Sequence, residues 1–150
     1  MEITAVDQGN ATDAVRLLTA QLREHEMFTP AEALHDVVQA VISDSRHGFM
    51  LLAAEPAGAA PVGIAFAAAH LSAEHGGTIG WLEELFVLPE WRGRGAGAAL
   101  LVEVLRQARQ RQWRGLELEV VAGHERAVPL YTRHGFLPLT RTRFSSLFPA

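Results

Sequence analysis

The sequence predicts an α/β chain, one domain built around a mixed sheet, on three observations. Strand-like and helix-like patterns alternate along the whole length. The stretch 81–121 reads as strand, glycine turn, helix and strand, a crossover that makes its two strands parallel. The 150 residues are 49% hydrophobic and 20% charged, the size and balance of one globular core.

Met1 to Val6 reads as a first strand. Asn10-Ala-Thr-Asp13 starts a helix that runs to about Arg23, with Val15, Leu18 and Leu22 on one face. Thr29-Pro30-Ala31-Glu32 starts a second helix, with Thr as cap, Pro at the first helical position and Glu closing the box. Its buried stripe is Leu34, Val37, Val38, Val41 and Ile42. The link His25-Glu26-Met27-Phe28 carries two apolar side chains, and one reading makes Phe28 a hydrophobic staple on the Thr29 cap.

Phe49 to Ala54 and Val62 to His70 are strands joined by a Pro-Gly-rich hairpin loop. The small residues of the second strand suggest close packing on a helix. Trp81 to Leu88 is the central strand, with Leu82, Phe86 and Leu88 on one face and Glu83, Leu85 and Val87 on the other. Pro89 ends it, having no N–H to donate. After the turn, a helix from about Gly95 to Gln112 presents Leu101, Val104, Leu105 and Ala108. Leu116 to Val121 is the next strand. A short helix from Glu125 to His134 tolerates Pro129 in its first turn and ends at Gly135. Phe136 to Leu139 and Thr142 to Leu147 read as two closing strands. The predicted order is β-α-α-β-β-β-α-β-α-β-β.

Composition narrows the function. The formal net charge is −4, from 17 acids against 13 bases, which disfavours a nucleic-acid binder. Absence of cysteine removes disulfides, zinc–thiolate sites and a thiol nucleophile. His25, His35, His47, His70, His75 and His134 show no metal-ligand spacing with carboxylates, so no metal is expected. The N-terminus lacks a basic-then-apolar leader pattern, and the longest apolar run, near Gly63 to Ala69, is far short of the roughly 20 residues a membrane span needs. These features set the expectation of a cytoplasmic protein with no membrane partner.

The chemistry concentrates at Arg92-Gly93-Arg94-Gly95-Ala96-Gly97-Ala98. A strand, a glycine turn and a helix start together hold phosphate: the first helical N–H groups lack partners, and that end of the helix is positive. Glycines admit the phosphate to the backbone, and Arg92 and Arg94 supply charge. Gly93-x-Gly95-x-x-Ala98 also satisfies the dinucleotide fingerprint, with Glu117 or Glu119 at about the expected distance of 20 residues. Against that reading, Pro89-Glu90-Trp91-Arg92 separate the strand from the turn, and half the chain precedes the motif. A P-loop is excluded because no Gly-Lys-Ser/Thr follows.

Arg92-x-x-Gly95-x-Gly97 after a Val-x-Pro strand end, together with Tyr131-x-x-x-Gly135-Phe136 and the element order, resembles the GCN5-related N-acetyltransferases, the GNAT superfamily. The resemblance covers nearly the whole chain. It implies a GNAT fold whose fourth and fifth strands splay apart, with acetyl-CoA as co-substrate in the gap and an amine attacking the thioester directly. It places cofactor contacts at Leu85, Phe86, Val87, Arg92, Gly93, Arg94, Gly95, Ala96, Gly97, Ala98, His124 and Ala127. It also implies that the segment between the first two helices lines the acceptor site, which is the second reading of that link.

Leu-Glu-Glu-Leu-Phe-Val at 82–87 resembles the polyamine acetyltransferase branch. By that match Glu83 is the candidate base or amine-binding carboxylate and Glu84 neighbours the acceptor. A carboxylate on a buried strand needs a partner. Tyr131, the only tyrosine, matches the family's proton donor to the CoA thiolate. His124 stands where the family often has Asn. It can still donate a hydrogen bond, but a histidine changes charge at around pH 6.5, so cofactor affinity is expected to follow pH. The acidic residues near the site favour a small cationic amine as acceptor; a protein N-terminus or lysine, and a non-catalytic acyl-CoA sensor of the same fold, stay open. The family is often dimeric, and Phe144-Ser-Ser-Leu-Phe148 fits either a core strand or an edge offered to a homodimer partner.

Overall fold

The computed structural model describes residues 1–149. The chain forms two compact units, Met1–Glu119 and a second that begins at Val120. In the first, β1 (Glu2–Ala5) leads to α1 (Ala11–Glu24) and α2 (Ala31–Ser43). Then come β2 (Gly48–Ala54), β3 (Gly63–Ser72), β4 (Gly77–Val87), α3 (Ala96–Gln110) and β5 (Leu116–Glu117). The strands lie in the order β1-β2-β3-β4-β5. The first four are antiparallel, and β4 and β5 are parallel, as the crossover through α3 requires.

Helices cover both faces of the sheet. Ala14, Leu17 and Leu18 of α1 and Leu34, Val38 and Val41 of α2 cluster with Met50, Leu52, Ile64 and Phe86. Burying each large aliphatic side chain there contributes about 1.5–3 kcal/mol. Phe49, Leu51, Ala53, Ala65 and Ala67 alternate to the opposite face, where Leu100, Leu101, Val104 and Ala108 of α3 are buried. The alanines of β3 let α3 approach, as its small residues suggest.

The sheet departs from the sequence pattern at one point. Phe66 pairs with Glu84 and Ala67 with Leu82, so β4 carries a bulge and Glu83 has no partner on β3. The extra residue breaks the period of two. Leu82 therefore shares the α3 face with Ala67, while Phe86 shares the α1 face with Ile64, and the expected stripe of Leu82 with Phe86 does not form.

Three other expectations are corrected. α2 starts at Ala31 with no side-chain cap bond, because Pro30 is extended (φ −59°, ψ 145°) and carries the chain past the geometry a Thr29 cap needs. Val37 is on the solvent side of α2 at 43% exposure. The strand expected at 116–121 pairs with β4 only at Gly80↔Leu116 and Trp81↔Glu117. Beyond Trp81, and among the described residues, no strand pairs with the edge of β4 that faces away from β3.

In the second unit, a 3₁₀ turn at Glu125–Ala127 leads into α4 (Val128–Arg133), with Pro129 in its first turn. Gly135, at φ +90°, closes the helix as expected. The closing strands expected at 136–139 and 142–147 are not formed, and residues 136–149 have no regular structure. A strand needs a ladder partner to persist; Pro138 lacks a donor, and Leu137, Phe144, Leu147 and Phe148 are exposed.

Candidate active site

The end of β4 and the start of α3 build the site in the first unit. Leu88 N–H bonds the Val62 carbonyl toward β3. Backbone direction alternates along a strand, so the N–H groups of Leu85 and Val87 point to the other, unpaired edge. Phe86 is buried beneath them. Pro89–Trp91 form a 3₁₀ turn, and Gly93 and Gly95 take left-handed φ of +77° and +93°. The space where a Cβ would sit on either glycine is empty to 4 Å.

α3 follows with no side-chain cap and no acidic residue in its first turn. Its first intrahelical bond is Ala99 N–H to the Gly95 carbonyl. The N–H groups of Ala96, Gly97 and Ala98 therefore lack helical partners, and nothing on the helix neutralises its positive end. This open cradle fits a pyrophosphate.

The two arginines of the turn do different jobs. Arg94 is exposed, with its guanidinium 4.7 Å from the centre of the Trp91 ring. Arg92 is held instead: its Nε donates to the Val87 carbonyl at 2.9 Å, and Nη2 pairs with Glu24 Oε2 at 2.6 Å. It also lies 5.6 Å from the Phe86 ring centre. These contacts make Arg92 a strut between α1 and the end of β4, in contrast to the free phosphate ligand that the motif suggests.

The paired carboxylates of β4 also separate. Glu83, the bulged residue, is exposed. Glu84 is partly buried, and its Oε2 accepts a 2.6 Å hydrogen bond from Gln21 Nε2 on α1. Burial pushes the Glu84 carboxyl up to about 7 from 4.5; the Gln21 hydrogen bond opposes this, and the Glu83 charge adds to it. Gln21 and Glu24 were not legible as site residues, since each lies more than sixty positions from its partner.

On the loop between α1 and α2, Met27 and Phe28 are 55% and 77% exposed. Phe28 therefore forms no staple on the helix start. Glu117, an acid the dinucleotide reading would need, lies on β5 with its carboxylate 3.9 Å from His75 Nε2. That reading also fails on topology, because β4 is the fourth strand and a 3₁₀ turn separates it from the glycines.

In the second unit, Tyr131 lies on α4, edge-on to Phe136 with ring centres 5.7 Å apart. Burial raises its phenol above the ordinary value. His124 precedes the 3₁₀ turn, and Ala127 N–H bonds back to its carbonyl at 3.4 Å. Among the described residues, no group of three or more His, Cys, Asp or Glu side chains could hold a metal ion.

Known proteins resemble this chain in sequence and fold. The model of the Acetyltransferase (GNAT) family matches residues 12–136. An uncharacterized N-acetyltransferase of Archaeoglobus fulgidus is 32% identical over 133 residues, covering 87% of this chain and 89% of its own. The crystal structure of an integron cassette protein from the mobile metagenome of Cole Harbour Salt Marsh superposes with a TM-score of 0.86 at 26% identity, over 99% of this chain and 91% of that one. The structure of AAC(6')-Iy with a bisubstrate analogue, CoA-S-monomethyl-acetylneamine, superposes with a TM-score of 0.80 at 19% identity, over 99% and 98%.

Proposed function

Because this chain belongs to the GNAT family of acetyltransferases and so transfers acetyl groups from acetyl-CoA, we propose that its acceptor is a small cationic amine and that Glu84 takes up the amine's proton. The observation that carries this is the environment of Glu84. A partly buried carboxyl near 7 is poised to accept a proton at neutral pH. A free alkyl ammonium has a pKa of about 10.4, so it must lose a proton before it attacks. Glu83, exposed beside it, suits attraction of the cation over proton transfer. The roles suggested by the polyamine-branch match are thus exchanged.

When bound, acetyl-CoA supplies an activated acetyl thioester. The N–H groups of Ala96, Gly97 and Ala98, with the Arg94 charge, hold the pyrophosphate. The N–H groups of Leu85 and Val87 orient pantetheine and polarise the thioester carbonyl. Tyr131 delivers the proton to the departing sulfur, a role supported by its place in Tyr-x-x-x-Gly-Phe; His124 and Ala127 are further cofactor contacts on the same resemblance.

An aminoglycoside N-acetyltransferase with this fold, AAC(6')-Iy, has been solved with CoA and with the bisubstrate analogue CoA-S-monomethyl-acetylneamine. Its being an aminoglycoside N-acetyltransferase supports a small cationic acceptor. The family match spans both compact units, which supports reading them as one domain. The exposed Phe144, Leu147 and Phe148 suit an apolar surface offered to a second copy, which light scattering of the pure protein checks. No helix among the described residues is long and apolar enough to cross a membrane.

Thiol release from acetyl-CoA against a panel of polyamines, aminoglycosides, free lysine and peptides tests the acceptor. Turnover with the small cations supports the proposal, and turnover confined to peptides contradicts it.

A further inference from the structure

The inward stripe of α1 runs Ala14, Leu17, Leu18, all buried against the sheet. The next position on that stripe at helical spacing is Gln21, where an aliphatic residue would continue the core. Gln21 is instead a partly buried amide that reaches β4 and donates to Glu84 Oε2 at 2.6 Å. An ionised carboxylate only accepts, so the amide must present its NH₂ group.

We infer that Gln21 is a positioning residue for acetyl transfer: its amide pins Oε2 of Glu84 and leaves Oε1 as the atom that receives the amine's proton. The inference rests on the reading of Glu84 as the base. The hydrogen bond has two consequences. It fixes a carboxylate that would otherwise sample several rotamers, and it favours the charged form against the desolvation that burial imposes. Without it, a smaller fraction of the base would be ionised and able to accept at neutral pH. The charge that acts on Glu84 is Glu83 beside it on β4; one turn further along α1 from Gln21, Glu24 pairs with Arg92. On β3 the residue opposite is Phe66. Gln21 is therefore the neighbour that acts against desolvation.

The test replaces Gln21 in two directions and reads Glu84 directly. Carboxyl ¹³C NMR of the full chain, with Glu84→Gln assigning the resonance, gives the Glu84 titration midpoint. Turnover at saturating acetyl-CoA and amine gives the acid limb of kcat. For Gln21→Leu the midpoint is expected to rise by ~1 pH unit, because the hydrogen bond to the charged form is lost. For Gln21→Lys it is expected to fall, because an opposite charge favours ionisation. The acid limb of kcat should follow in both directions. A midpoint that is the same in both variants as in the parent overturns the role of Gln21. A midpoint that moves while the kcat limb stays in place overturns the reading of Glu84 as the base. Opposite shifts in two variants are not an outcome of a general loss of packing.

Discussion

Arg92 of the glycine turn and Glu24 of α1 form a 2.6 Å ion pair that ties the cofactor loop to the helix carrying Gln21. The pair is half-buried, and Arg92 also caps the Val87 carbonyl at 2.9 Å. Removing one partner of such a pair takes a charge-assisted hydrogen bond from a partly desolvated group, at about 1–3 kcal/mol. Arg92→Ala is therefore expected to lower the unfolding midpoint in urea, while Arg94→Ala, at an exposed site, leaves stability nearly unchanged. Isothermal titration should show the complement: Arg94→Ala weakens CoA binding and loses part of its salt dependence. Equal destabilisation by both variants would contradict the strut.

Gly95 cannot be replaced silently. Its φ of +93° is left-handed, which costs an L-residue about 1–2 kcal/mol. A methyl there meets no protein atom within 4 Å, so its cost in the free protein is backbone strain, and any further loss comes from the proposed anion site. Gly95→Ala should lose stability by about that amount and lose CoA affinity by a larger factor than Arg94→Ala does. Retained affinity would move the pyrophosphate away from this turn.

Tyr131→Phe keeps the ring against Phe136 and deletes only the hydroxyl. The expected result is a fall in kcat of about 10²-fold, as for loss of a general acid, with CoA binding unchanged. Stopped assays with free CoA as titrant separate the two quantities. An unchanged kcat removes Tyr131 from the chemistry.

Glu84 should also leave a signature in stability. Its carboxyl ionises near 4.5 in the unfolded chain and near 7 in the fold. Folding thus carries no penalty from it below pH 4.5, a growing one between 4.5 and 7, and a constant one above 7. The penalty reaches about 3 kcal/mol. Glu84→Gln is expected to raise the thermal midpoint at pH 8 and to lose that advantage as the pH falls toward 4.5. A variant less stable than the parent at pH 8 would contradict the burial cost.

Much of this was legible in the sequence. The α3 turn and its glycines, the β4–β5 crossover, the alanines under α3 and the Gly135 helix end are local patterns, set by periodicity and backbone sterics. What was not legible depends on distant pairing. The bulge at Glu83 exists because β3 and β4 differ in register between Ala67 and Phe66, and no local pattern encodes that offset. The match to Leu-Glu-Glu-Leu therefore pointed to Glu83, while the fold buries Glu84. The pairing of Arg92 with Glu24 was not legible because the two are remote in the chain. The closing strands at 136–147 alternate well enough, yet alternation alone does not supply a ladder partner.

The central claim is that Glu84, and not Glu83, takes the proton. The measurement is kcat against pH for the parent, Glu83→Gln and Glu84→Gln, with acetyl-CoA and the best amine of the panel at saturation. The account predicts that Glu84→Gln loses turnover by about 10²–10⁴-fold and loses the acid limb near pH 7, while Glu83→Gln keeps the limb and raises the KM for the amine. A limb that persists in Glu84→Gln and vanishes in Glu83→Gln would contradict it.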